Sequence, residues 1–182
     1  VSGAQNGTYA NASAQAGLIA GDSNGAVLFG GSTQVSGGGL TGVFTNDWTI
    51  EAWFTHTAQA EWSGIFSNNG AAGNSGAPLM TFIENSNLLG INGAGITASN
   101  VAVDLGADHF GKRIYAVITK TGGNAPGTNT ITVRAWIDGV EVPSATRTSA
   151  WTLAPRDAWF IGRHWADVGQ FHRGVIDEVA VY

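Results

Sequence analysis

The residues here with recognisable chemistry are tryptophans set beside charged groups. Glu51-Ala52-Trp53 and Arg134-Ala135-Trp136 each put a charge and an indole at alternate positions. On an extended strand alternate residues share a face, so each pair would present a flat ring next to a charge. An indole face packs on the C–H face of a sugar ring, and its N–H offers one polar handle. Glu61-Trp62-Ser63 and Arg163-His164-Trp165-Ala166-Asp167 instead set tryptophan in polar loop surroundings. An exposed loop tryptophan has no packing role, so Trp62 and Trp165, with Arg163 and His164, form the first expected ligand site, at a rim. Glu51, Trp53, Arg134 and Trp136 form the second, on a sheet face.

Catalytic arrangements are not visible. Glycoside hydrolysis needs two carboxyls about 5–9.5 Å apart across a cleft. The five Glu (51, 61, 84, 141, 178) are scattered, and no second acid lies two or four residues after Glu51. Asp177 and Glu178 are sequence neighbours and are expected to point to opposite faces. Gly21-Asp22-Ser23-Asn24-Gly25 matches Gly-x-Ser-x-Gly. A nucleophile elbow, however, needs a strand before the serine and a helix after it, and here a β-rich run follows. The four histidines (56, 109, 164, 172) have no metal-ligand spacing and read as surface residues. The chain is expected not to be an enzyme.

The elements that must position these groups are short. Apolar runs at 26–30, 48–55, 63–67, 79–84, 87–91, 114–120, 130–137, 140–142, 158–162 and 174–181 are bounded by Gly, Asn, Asp or Pro. Many short strands separated by turn signals indicate an all-β sandwich or barrel. Asp138-Gly139 between two such runs predicts a type I′ hairpin. Alternation predicts Trp48, Ile50, Ala52 and Phe54, and Ile131, Val133, Ala135 and Ile137, on the core face. No helical periodicity persists, and the Ala-rich stretch Tyr9–Ala20 is only a weak helix candidate.

The 182 residues fit one domain, 1–182, large enough to bury a core without staples. There is no Cys, which removes thiol chemistry and disulfides. Net charge is −5 with only eight Lys and Arg, so no basic stripe exists for nucleic acid or an anionic membrane. No apolar run approaches the ~20 residues of a membrane span.

The order of motifs Gly25-Ala-Val-Leu-Phe-Gly-Gly31, Asp47-Trp-Thr-Ile-Glu-Ala-Trp53, Ile114-Tyr-Ala-Val-Ile-Thr119, Val133-Arg-Ala-Trp-Ile-Asp-Gly139, Phe160-Ile-Gly162 and Phe171-His-Arg-Gly-Val-Ile-Asp-Glu-Val-Ala-Val-Tyr182 resembles the laminin G-like, or concanavalin A-like, jelly roll. Lys112-Arg113-Ile114 departs from the family's aromatic-His-His at that point. The opening around Gly7-Thr-Tyr9 resembles a variant of bacterial surface proteins and phage minor tail proteins, in which an earlier strand precedes it. A fragment of a longer protein is therefore expected.

The resemblance implies a two-sheet antiparallel jelly-roll sandwich with one concave sheet, lined here by Trp53 and Trp136. It implies a binding or adhesion role toward a glycan or cell-surface ligand, in an extracellular, cell-surface or virion setting, beside neighbouring domains or subunits. The second expectation is a structural spacer, decoration or assembly domain of a phage tail or surface fibre; the third is a glycoside hydrolase. It also implies a structural Ca²⁺ at Asp177, with a carbonyl from Gly31.

Overall fold

The computed structural model describes residues 7–40, 42–57, 62–68, 79–82, 86–91, 101–123, 129–149, 157–164 and 170–182. Its strands in chain order are β1 (Thr8–Ala10), β2 (Ser13–Gln15), β3 (Ala26–Gly30), β4 (Gln34–Gly37), β5 (Trp48–Phe54), β6 (Ser63–Ser67), β7 (Leu79–Phe82) and β8 (Leu88–Ile91). They continue with β9 (Val101–Asp104), β10 (Ile114–Thr121), β11 (Asn129–Ile137), β12 (Val140–Glu141), β13 (Ala145–Ser149), β14 (Trp159–Ile161) and β15 (Arg173–Val181). Single 3₁₀ turns occupy Val43–Thr45 and Ala107–His109.

The strands form two antiparallel sheets. One runs β1-β4-β14-β6-β7-β8-β9 and the other β12-β11-β10-β5-β15-β3-β2, with β13 on β11 as well. This is the expected jelly-roll sandwich. The short segment from β1 to β2 crosses from one sheet to the other, so Tyr9–Ala20 begins as two strands rather than a helix. β4, β9 and β13 also had no prediction; their runs are polar or very short.

The core follows from alternation. Trp48, Ile50, Ala52 and Phe54 of β5 are buried, as are Ile131, Val133 and Ala135 of β11. They pack against Phe66, Met80, Phe82, Leu89 and Val103 of the opposite sheet in one hydrophobic cluster. The hairpin after Ile137 has positive φ at both central residues, 49° at Asp138 and 86° at Gly139, as a type I′ turn requires.

Gly162, just after β14, lies against Phe29 of the opposite sheet. Its φ is 80° and a Cβ there would lie 2.0 Å from Phe29 Cε1. Only glycine satisfies both conditions.

Candidate functional site

The face of β5, β10 and β11 turned away from the core carries a row of aromatic rings. Trp53 pairs with Tyr115 in the β5–β10 ladder, and Tyr115 with Trp136 in the β10–β11 ladder. Directly opposed residues on adjacent strands sit close enough for their rings to meet. Trp53 and Tyr115 stack at 4.7 Å and 23°, and Tyr115 and Trp136 lie 5.3 Å apart at 31°. Beyond them Arg134 sits 4.8 Å from the Trp136 ring centre. Its guanidinium also makes a two-pronged pair with Glu141 at 2.8 and 3.0 Å.

This stacking decides which surface is left for a ligand. Tyr115 lies between the two indoles, so each indole spends one face on it. Trp136 also carries Arg134. Trp53 borders a depression of about 340 Å³ over the β5–β15 seam. Ile19, Asp22, Glu51, Glu178, Ala180 and Tyr182 complete the lining with Tyr115. Ala180 pairs with Glu51 across the seam. Its single methyl leaves space where a larger side chain would fill the hollow.

Glu51 is held at both oxygens. The Tyr115 hydroxyl donates to Oε2 at 2.5 Å and the Tyr182 hydroxyl to Oε1 at 2.9 Å. Tyr115 is the diagonal neighbour of Glu51 on the next strand, and Tyr182 is reached because its backbone pairs with Thr49. Burial first, and then the bond to the Glu51 carboxylate, pushes the Tyr115 phenol up to about 12. The Tyr182 phenol is also raised, by Glu51 above all.

A β-bulge brings in the second acid. The β15–β5 register shifts between Ile176 and Val179, so Asp177 and Glu178 together oppose Trp53. The expectation that these neighbours point to opposite faces is thereby corrected. Asp177 Oδ2 accepts the Leu18 N–H at 2.6 Å and Glu178 Oε1 accepts the Asn24 side-chain amide at 3.5 Å, so both meet the 17–24 segment. Glu51 and Glu178 thus line one hollow despite their separation in sequence.

The rim site does not assemble as expected. His164 is 1% exposed, and burial pulls its imidazole down to about 4. Arg163 donates to Gln34 Oε1 at 2.8 Å and lies over the Phe160 and Phe171 rings. Trp62 is half-buried with its ring 5.2 Å from that of His164. Trp165 falls outside the described residues.

The surface reading of the histidines is corrected throughout. His56, His109 and His172 are fully buried and pack together, His56 lying 5.4 Å from His109 and 5.5 Å from His172 between ring centres. Ser23 precedes β3 in a turn, with no helix after it, so it forms no elbow.

Asp177 and Gly31 do not fit a shared Ca²⁺. In the β3–β15 ladder Arg173 pairs with Gly30 and Ile176 with Val27. Asp177 is therefore roughly 15 Å along the strands from Gly31. Arg173, a cation, occupies the space beside Gly31. Both Asp177 oxygens take backbone N–H groups, from Leu18 and Glu178. Among the described residues no group of three His, Asp or Glu is placed to hold a metal ion.

Tyr115 and Tyr182 are the site residues that sequence reasoning missed. Splitting the 114–120 run by alternation, as for 48–55, puts Tyr115 on the outer face. Nothing in the sequence signals Tyr182.

A family model described as the concanavalin A-like lectin/glucanases superfamily matches residues 29–182. No curated protein matches the chain. Domain 4 of an extracellular GH43 arabinanase from Geobacillus stearothermophilus, solved with arabinotriose, superposes with a TM-score of 0.64 at 15% identity, over 97% of this chain and 81% of that one. A structure of botulinum neurotoxin type C, whose cell entry depends on interaction with two ganglioside molecules, gives 0.58 at 10% identity over 98% of this chain and 43% of that one. Trypanosoma rangeli sialidase with the inhibitor DANA gives 0.59 at 12% identity, over 97% of this chain and 27% of that one. This chain thus spans less than half of the toxin and sialidase chains, and at such identities the likeness is one of fold. With residues 29–182 matched, the chain belongs to the concanavalin A-like lectin/glucanases superfamily.

Proposed function

We propose that this domain is a non-catalytic glycan-binding module of a larger extracellular or virion protein, and that the sugar sits in the hollow between Trp53 and β15. The observation that carries the reading is the Trp53 indole at the end of a closed aromatic stack, bordering a hollow edged by fixed carboxylates. A ring already stacked on one side is rigid, so it binds a sugar without losing further side-chain freedom. The Glu51 oxygens, oriented by two hydroxyls, keep lone pairs for sugar O–H donors. The arabinanase domain solved with arabinotriose and the toxin that interacts with gangliosides are consistent with this reading.

Calorimetric titration after a glycan-array survey tests it. Trp53→Ala and Ala180→Leu are each expected to weaken binding at least tenfold, from loss of the platform and filling of the hollow, on the order of 1.4 kcal/mol or more. Retention of full affinity by both variants would refute the site. Failure to bind any glycan would refute the function.

One observation favours a second reading, hydrolysis: Glu51 and Glu178 share the hollow. A general acid needs an apolar setting that keeps its proton. Glu178 is exposed, and Glu51 already accepts two hydroxyl donors. No new reducing ends are therefore expected on prolonged incubation with a bound oligosaccharide.

A further inference from the structure

The hollow beside Trp53 has a chemical bias that neutral sugar binding does not require. Three carboxylates line it, from Asp22, Glu51 and Glu178, together with the aromatic residues Trp53, Tyr115 and Tyr182. No Lys, Arg or His belongs to the lining. Arg134, farther along the same aromatic row, is engaged by Glu141. Among the described residues none of the three lining acids has an ion-pair partner. No cation among the described residues offsets their negative charge, and it opens onto ring surfaces that themselves attract cations.

The three acids do not converge closely enough to hold a metal ion. They border a space of about 340 Å³ instead, which suits a cation of molecular size. We infer that the preferred ligand is a glycan carrying free amino groups, with the C–H face of an amino sugar on Trp53 and its ammonium among Glu51, Glu178 and Asp22. This rests on the glycan-binding reading and names the class of sugar that the site takes. The ammonium donates three hydrogen bonds and accepts none, matching a wall of acceptors. A lysine side chain has the same head group, but its slender stem does not use the flat indole surface that a pyranose ring covers.

The test titrates the full chain at pH 6 and low salt with three β-1,4-linked tetramers: glucosamine, N-acetylglucosamine and glucose. A lysine amide serves as the fourth probe. The glucosamine tetramer is expected to bind about tenfold or more tightly than the other two tetramers. Raising the salt is expected to shrink that preference. Glu178→Gln, a change at an exposed position, is expected to reduce it to threefold or less. Equal binding of all three tetramers, or a preference unmoved by Glu178→Gln, overturns the amino-sugar inference and leaves glycan binding standing. Binding of the lysine amide with no tetramer bound overturns the amino-sugar inference, and with no arrayed glycan bound either it overturns both readings in favour of a peptide ammonium group. No binding of these probes or of any arrayed glycan also overturns both.

Discussion

Lys120 shows how one residue can contradict its strand and still be required by it. Ile114, Ala116 and Ile118 face the core from β10, and the next residue in that series is a fully buried lysine. Its ammonium donates to the carbonyls of Asn46, at 3.0 Å, and Gly123. Burial lowers its pKa, partly offset by Asp47. Lys120→Met keeps the stem but leaves two carbonyls without a donor. We expect a loss of about 2–4 kcal/mol, read as a lower urea midpoint at unchanged slope. Tyr115 offers a test of the site's electrostatics at the same scale. Its phenol is expected to titrate near 12 by ultraviolet absorbance, and Glu51→Gln to bring it down by removing the carboxylate.

At the scale of elements, the end of β5 and the start of β15 are joined through histidine. His172 Nε2 donates to Thr55 O at 2.8 Å, leaving Nδ1 to accept from the Ser63 hydroxyl at 3.2 Å. His109 Nδ1 donates to Gly106 O at 2.7 Å, and its Nε2 shares a hydrogen bond with His56 Nδ1 at 3.1 Å. Burial, with His56 adding to it, pulls His172 down to about 3, and burial pulls His164 down to about 4. Both lie below the usual ~6.5, so below that pH the unfolded chain takes up protons that the folded one refuses. Stability is complete above pH 6.5 and is lost as pH falls toward the folded values, by about 1.4 kcal/mol per pH unit for each group. Urea midpoints at pH 7 and pH 5 are expected to differ by about 4 kcal/mol in stability. His172→Gln is expected to halve that difference, whatever it does to stability at pH 7.

For the whole molecule, the N-terminal segment acts as a clasp. β1 closes the edge of one sheet against β4, and β2 closes the other against β3. The 17–24 segment then reaches Asp177 and Glu178 and supplies Ile19 and Asp22 to the hollow. This clasp lies before the span that the family model matches. A chain starting at Gly25 is therefore expected to retain the sandwich but to expose two strand edges, which are templates for association. Light scattering is expected to show self-association that the longer chain lacks. Its affinity for glycans is expected to fall as well, because one wall of the hollow leaves with the clasp.

Sequence alone determined the sandwich and its inner faces. The alternation of Trp48-Ile50-Ala52-Phe54 and of Ile131-Val133-Ala135 is a local property of the backbone, and Asp138-Gly139 has few other conformations open to it. The same alternation put Glu51, Trp53, Arg134 and Trp136 on the outer face. Tertiary structure decided what that face contains. Glu178 joins Glu51 because a bulge inserts an extra residue into β15, and a bulge leaves no mark on hydrophobic period. Trp53 and Trp136 lose their inner sides to Tyr115 because strand order sets β10 between β11 and the distant β5. The histidines and Lys120 are buried because neighbouring elements supply donors and acceptors, while composition alone assigns such residues to water. Pairing partners far apart in the chain determine those outcomes, and no single stretch of sequence contains them.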